Sequence, residues 1–270
     1  MVITNKDITQ KTYKKLSIQV SLSGLSFCVF DLLSYKVTNI ISIQFEKNKV
    51  IEEQLWRTFL DYPILTKSFD EVMVIHDNNL NTFVPTSLFD AQFLASYLQY
   101  NTKVFETDFF THDVIFPYEM NNVYVPFINI NNFLLDQYNT FEYQNSNSIL
   151  VKQLLDLSKN KEEKQVFVHL QKDHFEIVVL RNQQLLLFNS FQHHTPEDFI
   201  YFILFICEQL QLNPETISVQ LLGNCTEDDA FYKIAYQYIR NCSLLDISNK
   251  ASALDVSSTD LRNHFILFHS

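Results

Sequence analysis

Residues 165–223 read QVFVHLQKDHFEIVVLRNQQLLLFNSFQHHTPEDFIYFILFICEQLQLNPETISVQLLG. Residues 166–170 are an apolar run of strand length, and the turn Gln171-Lys172-Asp173 reverses it. Residues 174–180 run back, Asn182 turns the chain again, and residues 185–191 make a third strand. Thr195-Pro196-Glu197-Asp198 is a strong helix start: Thr at the cap, Pro in the first turn, acids against the positive helix end. The helix spans residues 199–212 and stops at Asn213-Pro214; residues 217–222 form a fourth strand, closed by Gly223.

Residues 16–76 repeat this order. Leu16, Ile18, Val20 and Leu22 alternate with Ser17, Gln19 and Ser21, which predicts a strand with one buried face. Ser23-Gly24 is read as the hairpin turn, followed by strands at 25–31 and 37–45, a helix at 50–60 and a strand at 71–76. Between the repeats, the sequence predicts a helix from Thr86 or Ser87 to about 99, with Leu88, Phe89, Phe93, Leu94, Tyr97 and Leu98 inward. Two strands (112–117 and 123–127) and a short helix (131–138) follow. The polar run 143–148 is the best candidate boundary, which places the two halves at 1–147 and 148–270. A helix at 149–157 leads into the second half. After Gly223, Thr226-Glu227-Asp228-Asp229 opens a further helix to about 240, and 242–247 reads as a strand. Residues 248–259 look like a linker, and 264–268 like a last strand or a packing tail.

Composition narrows the function classes. The chain has 270 residues, 47% of them apolar, enough for a sizeable core. A formal net charge of −11, with no basic cluster denser than Lys11-Lys14-Lys15 or Lys159-Lys161-Lys164, argues against a nucleic-acid binder. Cys28, Cys207, Cys225 and Cys242 form no Cys-x-x-Cys pair and read as reduced and structural. The stretch 1–15 has no apolar segment of a signal peptide, and the apolar run 199–207 is too short for a membrane span. A cytoplasmic protein without a membrane span is expected. Only two glycines are present, Gly24 and Gly223, where average usage would give about 19. AT-rich coding accounts for that, but it leaves few places where backbone can approach a phosphate closely.

Three antiparallel strands, a helix, a strand, a helix and a strand make the half-unit of the ribonuclease H-like fold, and two in tandem resemble the actin-like ATPase architecture. An unrelated α+β protein with one meander is the other reading of the same pattern. The chain also resembles an uncharacterised Bacteroidetes family, domain of unknown function 3822. The residues carrying the likeness are Leu16-Ser17-Ile18 with Leu25-Ser26-Phe27, Asn81-Thr82-Phe83-Val84-Pro85 with Leu88-Phe89-Asp90, Leu187-Phe188-Asn189-Ser190-Phe191, and Thr195-Pro196-Glu197-Asp198-Phe199-Ile200-Tyr201. The resemblance implies the actin-like ATPase fold, with two mixed five-stranded sheets and helices. It implies no activity.

Actin-like ATPases hold phosphates with two hairpins that carry Asp-x-Gly turns, where glycine lets backbone N–H groups reach the phosphate and the acid organises metal and water. Here Ser21-Leu22-Ser23-Gly24 keeps one glycine and no acid, and His169-Leu170-Gln171-Lys172-Asp173-His174 has no glycine. Leu222-Gly223-Asn224 is a candidate adenosine loop. If a nucleotide binds, Gly24, Asp173 and Gly223 are the candidate cofactor-binding residues, for ATP with magnesium. No catalytic or metal-ligating residues are assigned. A two-metal nuclease would need acids on the first strand of a half, and neither half has them. His169 and His174 lack a third ligand nearby and read as ordinary strand residues; Glu227, Asp228 and Asp229 read as helix capping.

Residues 199–206, apolar all round the helix, need cover on every side. A neighbouring domain or helix supplies it, or else a protein partner or second copy does, with Ile203 and Phe205 as the interaction candidates. The leading expectation is therefore a non-catalytic pseudo-ATPase acting as a protein-interaction scaffold. A divergent nucleotide-binding protein or ATPase is the alternative.

Overall fold

A computed structural model describes residues 11–105 and 107–270; the first ten residues of the leader reading lie outside the described residues. In chain order the first half supplies β1 (Lys14–Ser21), β2 (Gly24–Asp31), β3 (Lys36–Gln44), α1 (Ile51–Asp61) and β4 (Glu71–His76). The next segment holds β5 (Asn81–Pro85), α2 (Leu94–Leu98), β6 (Thr111–Ile115) and β7 (Met120–Tyr124). Then come α3 (Ile128–Tyr138), β8 (Glu142–Asn145) and α4 (Ser146–Leu157). The second half adds β9 (Gln165–Leu170), β10 (His174–Arg181), β11 (Gln184–Gln192), α5 (Pro196–Gln209), β12 (Ser218–Gly223), α6 (Ala230–Tyr238) and β13 (Asn241–Leu244). The chain closes with α7 (Ser248–Leu254) and α8 (Ser258–Asn263).

Two five-stranded sheets share one topology, β3-β2-β1-β4-β8 and β11-β10-β9-β12-β13. In each, the first three strands form an antiparallel meander and the fourth lies parallel to the first, reached through a helix. This is the duplicated layout expected from the sequence. The duplication extends to a defect. The β2–β3 register slips between Val29 and Phe30, leaving Thr38 over; the β10–β11 register slips between Val179 and Leu180, leaving Leu186 over. Such one-residue bulges kink an edge strand and increase its twist.

The chain divides into two compact units: one runs up to His76 and resumes at Phe127–Gln144, and the other takes Asp77–Pro126 with Asn145–Ser270. In the first unit, Leu16, Ile18, Val20, Phe27, Val29 and Val74 pack under Leu55 and Phe59 of α1 and Leu134 of α3. In the second, alternate residues of β9, β10 and β12 pack against α5 and α6. There Phe199 meets Phe175 and Phe231 edge-on, with ring centroids 4.9 and 5.4 Å apart.

The segment between the halves folds as a three-stranded antiparallel sheet, β5-β7-β6. A buried polar network ties it to the start of α4. Asn81 Nδ2 donates to Asn122 Oδ1 (2.9 Å), Asn122 Nδ2 donates to Ser148 Oγ (2.9 Å), and Asn147 Nδ2 donates to Asn81 Oδ1 (2.9 Å). Asp113 accepts from the Asn145 backbone N–H (2.9 Å), Ser148 Oγ (2.5 Å) and Tyr124 Oη (3.1 Å). A carboxylate at a helix N-terminus is favoured by the helix dipole, and one with three donors is well satisfied. Burial nevertheless outweighs those bonds and raises the Asp113 pKa to about 6. The polar run 143–148 is thus ordered by its polarity: Asn145, Ser146, Asn147 and Ser148 are all buried.

Two expectations change, and one choice between readings is decided. The helix over 86–99 breaks into short 3-10 turns at Thr86–Leu88 and Ala91–Phe93, with only Leu94–Leu98 α-helical. Asp90 interrupts it, extended at φ −136° with its side chain accepting from Gln92 N–H, so Leu88 and Phe93 lie exposed. Residues 248–259 are not a linker; they carry α7 and the start of α8, with Ser257 capping Asp260 N–H. Of the two readings of 264–268, the packing tail holds: residues 265–268 are buried and run into a short 3-10 turn. All four cysteines are free and buried.

Candidate functional site

The β1–β2 hairpin is a two-residue turn of Leu22 and Ser23, with Ser21 paired to Gly24, so Gly24 opens β2 instead of lying in the turn. Ser21 Oγ organises this turn, accepting from Ser23 N–H (3.2 Å) and donating to Gly24 O (3.3 Å). A Cβ on Gly24 would stand 2.4 Å from the Ile43 carbonyl oxygen, so the close approach of β3 accounts for this glycine.

The β9–β10 hairpin is as tight: Gln171 N–H donates to His174 O at 2.9 Å, with Lys172 and Asp173 at the tip. The polar groups of the turn are engaged within the second unit. Asp173 O accepts from His193 N–H (3.2 Å), His193 Nε2 lies 3.1 Å from Gln171 O, and Gln171 Nε2 donates to Asp77 Oδ1 (3.3 Å). Asp173 Oδ1 lies 2.8 Å from His174 Nδ1, and that bond holds the Asp173 carboxyl below its usual range.

Beneath the turn lies a cluster that sequence reading missed. Glu176 is 1% exposed. Its Oε2 is 2.8 Å from His169 Nδ1, directly across the β9–β10 ladder, and its Oε1 is 3.2 Å from His174 Nε2. Burial opposes the charge on both sides. It would raise Glu176 and lower His174, but the contacts win: Glu176 is held below the carboxylate range by the two histidines. His174 is raised to about 10 by Glu176, then Asp173, with Asp77 adding to it. The legible signal was a lone acid inside the apolar strand His174-Phe175-Glu176-Ile177-Val178, which must find a partner once buried.

Gly223 closes the same sheet end. It pairs with Leu170, has φ +87°, and a Cβ there would meet the Leu170 carbonyl oxygen at 2.2 Å. That oxygen accepts from Asn224 N–H at 2.7 Å. The structure therefore brings Asp173 and Gly223 to one end of one sheet, while Gly24 belongs to the other unit. Among the described residues, no group of three or more His, Cys, Asp or Glu side chains is disposed to hold a metal ion.

The family described as "Protein of unknown function (DUF3822)" matches residues 3–242. The chain belongs to the DUF3822 family. No curated protein matches it. Among solved structures it is similar to a Bacteroides thetaiotaomicron VPI-5482 protein with actin-like ATPase fold and unknown function, at 20% identity and a TM-score of 0.81, covering 92% of this chain and 98% of that one. It is also similar to a structure of the PilM–PilN type IV pilus biogenesis complex, at 10% identity and a TM-score of 0.58, covering 94% and 96%. A third is the ethanolamine utilization protein EutJ from Carboxydothermus hydrogenoformans, at 8% identity and a TM-score of 0.50, covering 94% and 89%. This DUF3822 chain thus has the actin-like ATPase fold, as its duplicated sequence led us to expect.

Of the two interaction candidates, Ile203 is fully buried in the core of its own unit and Phe205 is 41% exposed. The α5 helix is not covered all round. It seats Phe199, Ile200, Ile203, Ile206 and Cys207 inward and leaves Tyr201 and Phe205 outward, their rings stacked 6.3 Å apart one turn from each other. No helix among the described residues is long and apolar enough to cross a membrane.

Proposed function

We propose that this DUF3822 protein is a non-catalytic member of the actin-like ATPase fold that works as a protein-interaction scaffold in the cytoplasm. The observation that carries this reading is the end of β9. Where an ATPase of this fold would present an acid beside a glycine turn, this chain places His169, locked to buried Glu176 under a hairpin without glycine. Buried and spent on each other, His169 and Glu176 offer no open carboxylate to a metal. Both glycines are already required by neighbouring carbonyl oxygens, those of Ile43 and Leu170.

The test is calorimetry and thermal shift with ATP and magnesium, together with a phosphate-release assay. No heat, no shift and no turnover are expected. Saturable binding with turnover that falls in Asp173→Asn overturns the reading in favour of a divergent ATPase.

A further inference from the structure

The second unit contains a groove of about 750 Å³ whose two long walls are both sheet edges. Among the described residues, one wall is β11, which pairs only with β10, and the other is β5, which pairs only with β7. Every residue from Gln184 to Ser190 lines it, so the groove follows the strand along its length. Its walls approach at Phe83 and Phe188, whose rings meet edge-on at 4.9 Å. Ser190 N–H is turned away from β10, where Asn189 Oδ1 accepts it at 2.9 Å. By the two-residue repeat of a strand, the backbone polar groups of Phe188 point the same way. Ser190 Oγ, at that end of the groove, is buried without a hydrogen-bond partner among the described residues.

Natural sheets guard such edges with Lys, Pro or charge. The β11 sequence QLLLFNSFQ has none of these, and its only device is the bulge at Leu186. Asn189 Oδ1 already satisfies Ser190 N–H, but an occupant that covers the remaining edge groups must supply backbone donors and acceptors in strand register, because apolar contact alone leaves those unsatisfied. Glu119 is the one ionised side chain among the lining residues, at the end marked by the bond from Gln183 Nε2 to Tyr118 Oη. We infer that this groove captures an extended segment of a partner polypeptide as a strand added to β11, with alternating apolar side chains, no acids, and a Lys or Arg opposite Glu119. Seven residues in strand geometry, roughly 23 Å, match the run from Gln184 to Ser190. This deepens the scaffold reading and rests on it only for the existence of a protein partner.

The probe is a phage-displayed library of random peptides, panned on the full chain, with the enriched sequence then synthesised and titrated by fluorescence anisotropy. Alternating, acid-free sequences are expected. Affinity should fall about ten-fold or more when alternate amides are N-methylated, and likewise in Leu186→Lys. Glu119→Gln should weaken binding less and flatten its salt dependence. Unchanged thermal midpoints show that the variants fold. No enrichment, binding unaffected by N-methylation at every position, or binding unchanged in Leu186→Lys each overturns the inference. A wild-type dimer by light scattering that Leu186→Lys dissociates also overturns it, since the occupant is then a second copy. Peptide capture together with ATP turnover leaves the groove standing and sinks the non-catalytic reading; no turnover and no capture does the reverse.

Discussion

Glu176 Oε2 lies 2.8 Å from His169 Nδ1 across the β9–β10 ladder, with both side chains buried and a second histidine, His174, 3.2 Å from the other carboxylate oxygen. This relationship fills the strand end with a buried charge cluster. Removing one member of such a cluster strands the rest in a low-dielectric interior. Glu176→Ala is therefore expected to destabilise the second unit by about 3–5 kcal/mol, read by urea denaturation. Glu176→Gln, which keeps shape and loses charge, should return the His174 titration toward the ordinary histidine range, read by NMR.

The pH dependence follows with a defined sign. The lowered Glu176 pKa gives stability that is present above its unfolded value and lost as pH falls through the folded one. The raised His174 pKa gives stability that is complete below the unfolded value, near 6.5, and lost as pH climbs to about 10. Thermal midpoints of the wild type should therefore decline on the alkaline side between those values. A decline of the same size in Glu176→Gln would refute the assignment. Asp113 has the same sign in a lower window: its raised pKa favours the folded state in acid, and the benefit is lost as pH rises from the unfolded value through about 6.

Gly223→Ala must hold a side chain at φ +87° against the Leu170 carbonyl oxygen, whereas Gly24→Ala meets only the Ile43 carbonyl oxygen. Both variants should lose stability, Gly223→Ala more, by about 1–3 kcal/mol in denaturant melts. A neutral Gly223→Ala would mean that the β9–β12 end relaxes freely.

The two α5 candidates separate cleanly by burial. Ile203→Glu places a charge in the core and should abolish cooperative unfolding. Phe205→Glu, on the exposed face beside Tyr201, should change stability by less than about 1 kcal/mol. If light scattering shows an oligomer that Phe205→Glu dissociates, that face is an interface.

What was legible in the sequence was periodic. The alternation at 16–21, the apolar run at 166–170 and the Thr195–Asp198 cap each became the element expected, because pattern, turn and cap agree there, while Leu22 fell in the exposed hairpin turn. Residues 86–99 misled because helical spacing of apolar residues says nothing about Asp90, whose side chain competes for the backbone. Residues 143–148 look like surface because Asn and Ser usually are; what buries them is a partner network contributed by Asn81, Asp113 and Asn122, far away in sequence. Glu176 was hidden for the same reason, since only the cross-strand register reveals His169 as its partner.

Neither compact unit is a continuous stretch of chain: the first is interrupted after His76, and the second begins at Asp77, pauses, and resumes at Asn145. A ribosome therefore cannot finish the first unit before it has already released strands that belong to the second. Those strands, β5 to β7, carry Asn81, Asp113 and Asn122 and must wait for α4 to emerge before their amides and carboxylate find partners. Splitting the gene at the middle of the sequence would sever that network, so complementation between the two halves, not independent folding of either, is the behaviour this arrangement dictates.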